Sequence, residues 1–169
     1  MAVKSILLLG NPVLYEISQP VRQDELEVVA DLHDTLMAFR EQYGVGRAIA
    51  APQIGVLKRL VHMYVNGQAT EFINPVLEDK SAGMIEIWDD CLSFPELLVK
   101  VQRHKSCRIR YRNLEWQQEE MHLEDDLSEL LQHECDHLDG VLAVSRAIDG
   151  RSFALRSERK HLRGTQFTA

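Results

Sequence analysis

His133 and His137 stand four residues apart in the stretch LLQHECDHLDG, with Glu134 directly after the first. On a helix, both imidazoles would leave one face, one turn apart. Such a pair can fill two corners of a divalent metal site, with the glutamate placed to act on a water at the ion. Leu127, Leu130, Leu131 and Leu138 give the same stretch an apolar side, so the helix should be largely buried. The plain alternative is an amphipathic helix with its histidines at a polar rim. Two buried imidazoles and a carboxylate would be costly without partners, and a metal would supply one. A catalytic site needs a third protein ligand, and two residues compete for the place. Glu158 lies downstream; Cys91, in WDDCLSFP, lies upstream at the expected end of a strand. A free cysteine is more often a small core residue than a ligand, so this stretch alone leaves the choice open.

A third stretch, GRAIAAPQIG, has the means to position a polar group. Gly46, Ala48, Ala50 and Ala51 permit close backbone approach, and Pro52 fixes the chain just ahead of Gln53. The glutamine amide could then be offered as a hydrogen-bond donor. A tight loop with a solvated glutamine would look the same.

These three stretches need elements to hold them. Leu26, Val29, Leu32, Leu36, Phe39 and Tyr43 recur at helical spacing, with Gly44 as a stop. Between Arg59 and Tyr111 the pattern turns to short β-branched or alternating runs broken by Gly, Asn and Pro, the signature of strands in antiparallel or mixed sheets. A second helix should begin near Asp125 or Asp126, where Asp126 and Glu129 have capping-box spacing, and should stop at Gly140. A third, short helix is expected over RSFALRSERKHL. Helix, many strands, helix is an α+β order. With no repeat, low-complexity stretch or linker, residues 1–169 read as a single catalytic domain ending in a basic tail at 150–169.

Composition bounds the function. The chain is 45% hydrophobic and 27% charged with a formal charge of −7, which argues against general nucleic-acid binding. No stretch approaches the length of a membrane span. MAVKSILLLGNP is too brief for a secretory core and reads as a first strand or an extended segment, so a cytoplasmic protein is expected. Cys91, Cys107 and Cys135 are then reduced thiols. Residues 150–169 hold Arg151, Arg156, Arg159, Lys160 and Arg163 against one acid, Glu158.

Taken together, the three stretches resemble peptide deformylase. That family carries G-x-G-x-A-A-P-Q, E-G-C-L-S and Q-H-E-x-D-H-L-x-G in this order. Here they read GRAIAAPQ from Gly46, DDCLS from Asp89 and QHECDHLDG from Gln132, and the likeness runs from Ile6 to Ile148. The resemblance implies sheets packed around a central helix carrying the two histidines, with an N-terminal helix and a C-terminal helical tail. It implies that Cys91, His133 and His137 hold one metal, Fe²⁺ in the cell, with Zn²⁺, Ni²⁺ or Co²⁺ able to replace it. Metal-activated hydroxide would attack a formyl carbon, with Glu134 as general base and acid. Gln53 and the Leu92 N–H would steady the oxyanion. The substrates would be N-formylated nascent peptides, formyl-methionyl by default. Asp89 would pair with Arg103 as structural support. The basic tail has a parallel in members that touch the ribosome, although a solvated amphipathic helix is the plainer reading.

The departures from the family concern the substrate side. Ala48 replaces the second glycine of the first motif, and Asp90 replaces the glycine before the cysteine. Asp126 and Glu129 occupy helix positions that are usually apolar, and Leu98 stands where many members have an arginine. With Gly46, the residues Ala48, Asp90, Asp126 and Glu129 form the expected substrate-binding set. Extra carboxylates would penalise a thioether and favour a cationic or polar first residue. Three other readings stay open: the same fold acting on another formylated amine, a zinc endopeptidase using Glu158, and a metal-binding or ribosome-associated module without catalysis.

Overall fold

The structure is a computed structural model that describes residues 2–162 and the backbone of 166–167. Among the described residues, two α-helices, α1 (Val28–Tyr43) and α2 (Asp125–Leu138), accompany nine strands. These are β1 (Ala48–Ala50), β2 (Leu60–Val65), β3 (Gln68–Glu78), β4 (Met84–Asp89), β5 (Leu97–His104), β6 (Ser106–Arg112), β7 (Gln118–Glu124), β8 (Phe153–Leu155) and β9 (Gln166–Phe167). One sheet has the order β1-β2-β3-β6-β7 and the other β8-β5-β4-β9. All pairings are antiparallel except β4 with β9. The α+β reading is therefore borne out, with mixed pairing confined to the second sheet.

Period-two alternation decides which helix each strand residue meets. Ala48, Ala50, Val61, Met63, Phe72 and Ile109 face α2, where they pack on Leu130, Leu131, Cys135 and Leu138. Ile49, Leu60 and Ile73 face the other way, onto Leu32, Leu36 and Phe39 of α1. A third cluster, Ile87, Phe94, Val99, Val101 and Ala143, fills the space around the second sheet and includes Cys91. Because α2 packs against β1 and β7 of one sheet and β5 of the other, its second face looks into the seam between the sheets.

Of the two readings of the N-terminal stretch, the extended segment holds and the first strand does not, and a 3-10 turn follows at Pro12–Tyr15. Leu7 N–H donates to the Gln53 carbonyl and Leu9 N–H to the Ser93 carbonyl, so this segment ties two of the chemistry-bearing stretches together. All three cysteines are free and buried. Among the described residues no helix is long and apolar enough to cross a membrane.

Two local expectations are corrected. RSFALRSERKHL forms no α-helix. Phe153–Leu155 pairs with Leu97–Val99 as β8, and Arg156–His161 is a 3-10 segment. The open edge of β5 offers backbone partners that a short solvated helix cannot match. Arg163 of the basic tail lies outside the described residues. The capping box at α2 does not form either: Glu124 is the cap residue, with no side-chain cap bond. Glu129 is instead engaged by Arg47.

The predicted stop at Gly140 has a steric basis. Its φ is +70°, and a Cβ there would lie 2.4 Å from the Tyr15 carbonyl oxygen. Gly140→Ala should lower stability by about 2 kcal/mol or more in a denaturant titration, because strain and overlap with immobile backbone act together. Gly83→Ala, with open space around it, should change stability by less than about 0.5 kcal/mol.

Candidate metal centre

Helix α2 places Glu129, His133 and His137 at i, i+4 and i+8 along one stripe, with Leu130 at its border. All three are buried. Cys91 follows the end of β4 and meets the two histidines from across the seam. Its Sγ lies 3.3 Å from His137 Nε2, which lies 3.2 Å from His133 Nε2. Ligand atoms about 2.0–2.3 Å from one tetrahedral ion sit about 3.3–3.7 Å from each other. Cys91, His133 and His137 form a group of this kind, with donor atoms all within 4.8 Å. Glu158 does not join them. Its side chain is more than half exposed and pairs with His161 at the surface, which removes the endopeptidase arrangement.

The histidine orientation has a cause one step further out. His133 Nδ1 donates to Asp89 Oδ2 at 2.9 Å, so Nε2 is turned toward the cluster. A ring N–H held by a carboxylate is the usual support of a metal-binding histidine. Asp89 also accepts from Arg103 Nη2 at 2.9 Å, the pairing that the sequence suggested. Arg103 Nη1 donates to Asp136 Oδ2 at 2.5 Å, and Arg146 clasps Asp136 through two further bonds of 2.6 and 2.7 Å. A chain of alternating charge thus runs from the surface to His133.

Electrostatics follow the same layout. Burial works against the Asp89 carboxylate, yet His133 and Arg103 outweigh it and hold the group at about 2. Burial also opposes charge on His133, but Asp89 and Cys91 raise it well above an ordinary histidine. Burial and then the neighbouring His133 push His137 well below that value, and its Nδ1 is buried without a partner. Burial raises the Cys91 thiol. The cluster is thus two imidazoles and a sulfur in contact, with too few hydrogen-bond partners for their protons. A divalent cation fits this donor set, since it would replace those protons and use three lone pairs at once.

Glu134 lies in the same cleft wall. Burial pushes its carboxyl up to about 7, and its Oε2 is buried without a partner. The Gln53 amide is fixed at one end: Oε1 accepts from Ala50 N–H at 2.9 Å. Its Nε2 then points at Cys91 Sγ (3.5 Å) and Ser93 Oγ (3.2 Å). Pro52 and Gln53 sit in a short 3-10 turn directly after β1, so the rigid small-residue stretch does deliver the amide to the sulfur. Leu92 lines the cleft beside Cys91.

Gly46, Ala48, Asp90 and Glu129 also line the cleft. Gly46 has φ +121°, a conformation that favours glycine, and its carbonyl accepts from Arg40. Asp126 is exposed on the first turn of α2 and is not part of the wall. Leu98 is buried in β5, away from it. The expected excess of negative charge is corrected. Asp90 is paired with Arg156 at 2.5 Å and Glu129 with Arg47 at 2.5 Å, and both arginines line the cleft. Arg47 was not singled out from sequence, nor were Ser93, Asp136 and Arg146, and Arg156 was read only as part of the basic tail. Their partners lie 66 and 82 residues away for Arg156 and Arg47, beyond any spacing rule.

A family model described as polypeptide deformylase matches residues 3–152. Peptide deformylase 1 of Prochlorococcus marinus is 39% identical, over 94% of this chain and 88% of its own length. The peptide deformylase of Pseudothermotoga lettingae is also 39% identical, over 92% and 90%. Among solved structures, the peptide deformylase from Thermotoga maritima superposes with a TM-score of 0.80 at 29% identity, covering 88% of this chain and all of the other. One from Synechococcus elongatus, in complex with actinonin, gives 0.79 at 27% identity, covering 89% and 85%.

If the Asp89–His133 bond orients a ligand, Asp89→Asn should weaken metal binding about 10–100-fold. Glu158→Ala should leave it unchanged. Competition titration with a chelator of known affinity reads both.

Proposed function

The chain belongs to the polypeptide deformylase family, and we propose that it hydrolyses the formyl amide at the N-terminus of peptides, releasing formate and a free amine. Metal-dependent deformylation is the function of that family, and one observation carries the assignment to these residues. Glu134, with an unpartnered carboxylate oxygen, shares a cleft with the buried Cys91–His133–His137 group.

Cys91, His133 and His137 would hold a divalent cation, which would supply Lewis acidity and lower the pKa of a water toward neutrality. The chain's own residues do the rest. Glu134 Oε2 takes the proton of the attacking water and passes it to the departing amine nitrogen. Burial has raised this carboxyl to about 7, which suits a group that must both accept and return a proton near neutral pH. Gln53, its oxygen tied to Ala50, has its Nε2 pre-set to donate to the oxyanion as the formyl carbon becomes tetrahedral. The Leu92 N–H, next to Cys91 in the chain, is the second donor. Asp89 and Arg103 keep His133 in the tautomer that faces the cluster.

Fe²⁺ is the cellular metal in this reading, as the family resemblance implies; Zn²⁺, Ni²⁺ and Co²⁺ also suit imidazole and thiolate donors, and availability rather than raw affinity selects among them. The substrates are nascent formyl peptides in the cytoplasm. The exposed Arg151, Arg159 and Lys160 are what support a ribosome contact through the tail. Arg156 has another role, bound to Asp90, to the Pro95 carbonyl and, through its backbone N–H, to the Glu96 carbonyl.

Glu134→Gln should keep one metal per chain while formate release falls about 10²–10⁴-fold, since only the proton transfer is removed. Metal analysis alongside a coupled formate assay on a formyl-Met peptide checks this. Retained turnover would remove Glu134 from the mechanism.

A further inference from the structure

The first sheet has a second face, and it carries a histidine pair that the hydrolytic centre does not use. His62 of β2 shares its side with Leu60, and Glu71 of β3 shares its side with Ile73, so both look toward α1. Helix α2, which carries His133 and His137, packs on the opposite side. His62 is 1% exposed and directly opposes Glu71 across the β2–β3 ladder. Its Nδ1 lies 3.1 Å from Glu71 Oε1. A carboxylate only accepts, so Nδ1 carries the ring proton and Nε2 keeps its lone pair. That lone pair meets Nδ1 of His33, a half-buried residue of α1, at 3.2 Å. Tyr64, two residues on in β2, packs edge-on against the His33 ring.

The pair repeats the geometry of the metal centre. His133 and His137 have nitrogens 3.2 Å apart, ring centres 5.0 Å apart and planes at 72°. For His33 and His62 the values are 3.2 Å, 5.1 Å and 84°. A straight N–H···N bond of this length would put the ring centres about 5.5 Å apart, whereas lone pairs converging on an ion at about 2.0–2.1 Å would put them about 5.0–5.2 Å apart. The observed spacing is the convergent one. Behind each pair a carboxylate holds a ring N–H, Asp89 at 2.9 Å in one and Glu71 at 3.1 Å in the other. The difference lies at the third corner: Cys91 closes the first group, and a surface cleft opens onto the second. Leu26, Val29 and Leu114 line that cleft, together with the acids Glu27 and Asp34.

We propose that His33 Nδ1 and His62 Nε2 bind a second divalent transition-metal ion, with Glu71 holding His62 in place and water completing the coordination. The ion takes the position of the proton between the two nitrogens, and His33 then carries its own proton on Nε2. The charges of Glu27 and Asp34 favour a cation in the cleft. Imidazole donors without a thiolate suit Cu²⁺, Ni²⁺ and Zn²⁺, with Cu²⁺ held most tightly. Because the two donors come from α1 and β2, the ion ties the helix to the sheet. This site is separate from the hydrolytic centre and does not rest on the deformylase reading.

The test starts from protein carrying one Zn²⁺ per chain, dialysed against further Zn²⁺, with bound metal, Tm and formate release measured. The count should reach two per chain and Tm should rise, since an ion bound only by the folded protein stabilises it. His33→Ala should lose the second equivalent and the rise in Tm, while keeping the first equivalent and the wild-type rate of formate release. Glu71→Gln should weaken the second site about 10–100-fold, the usual loss when the carboxylate behind a ligand histidine is removed. His122→Ala, at an exposed histidine of β7, should leave the count at two. A count that stays at one per chain, or a second equivalent that persists in His33→Ala, would overturn the proposal.

Discussion

A carboxylate that is 1% exposed, Asp89, holds the site together. Burying a charge in a protein seam costs several kcal/mol unless its partners are close and well aligned. Here the network joins three elements: Asp89 closes β4, its partners Arg103 and His133 belong to β5 and α2, and Asp136 of α2 holds Arg103 from the other side. The ion pairs therefore fix the helix against the second sheet as well as balancing charge. The same bonds turn His133 Nε2 toward Cys91, only two residues beyond Asp89. Shortening the acid by one methylene relative to the family's glutamate leaves the contact intact, with both bonds at 2.9 Å.

The metal cluster was legible in the sequence because helical periodicity puts His133 and His137 on one face, whatever surrounds them. Cys91 could not be chosen over Glu158 by spacing, and only the resemblance of three ordered stretches implied it. The seam between two sheets explains the outcome, since the end of β4 faces α2 while Glu158 lies on the surface. The limits of α2 were readable from Gly140 and the leucine pattern. Its capping box was not real, because a distant arginine competes for Glu129. The C-terminal segment was misread for a related reason: a helical composition says nothing about an open sheet edge beside it, and β5 recruits Phe153–Leu155.

Charge balance in the cleft is the feature least visible to sequence. Asp90 and Glu129 read as an acidic wall, yet each is closed by an arginine from a remote part of the chain. Arg47 sits between Gly46 and Ala48, and Arg156 follows β8. A motif inventory sees both as surface cations. In the folded protein each gives one of these two acids a partner within the cleft wall. The Asp89–Arg103 pair behind His133 and the two pairs of the cleft wall are separate, so either set can change without the other.

The central claim is that one thiolate and two imidazoles close around a single divalent ion. X-ray absorption spectroscopy on anaerobically prepared, metal-loaded protein tests it most directly. The account predicts one sulfur scatterer at about 2.3 Å and two imidazole nitrogens at about 2.0–2.1 Å. A first shell of oxygen and nitrogen alone, unchanged in Cys91→Ser, would contradict it.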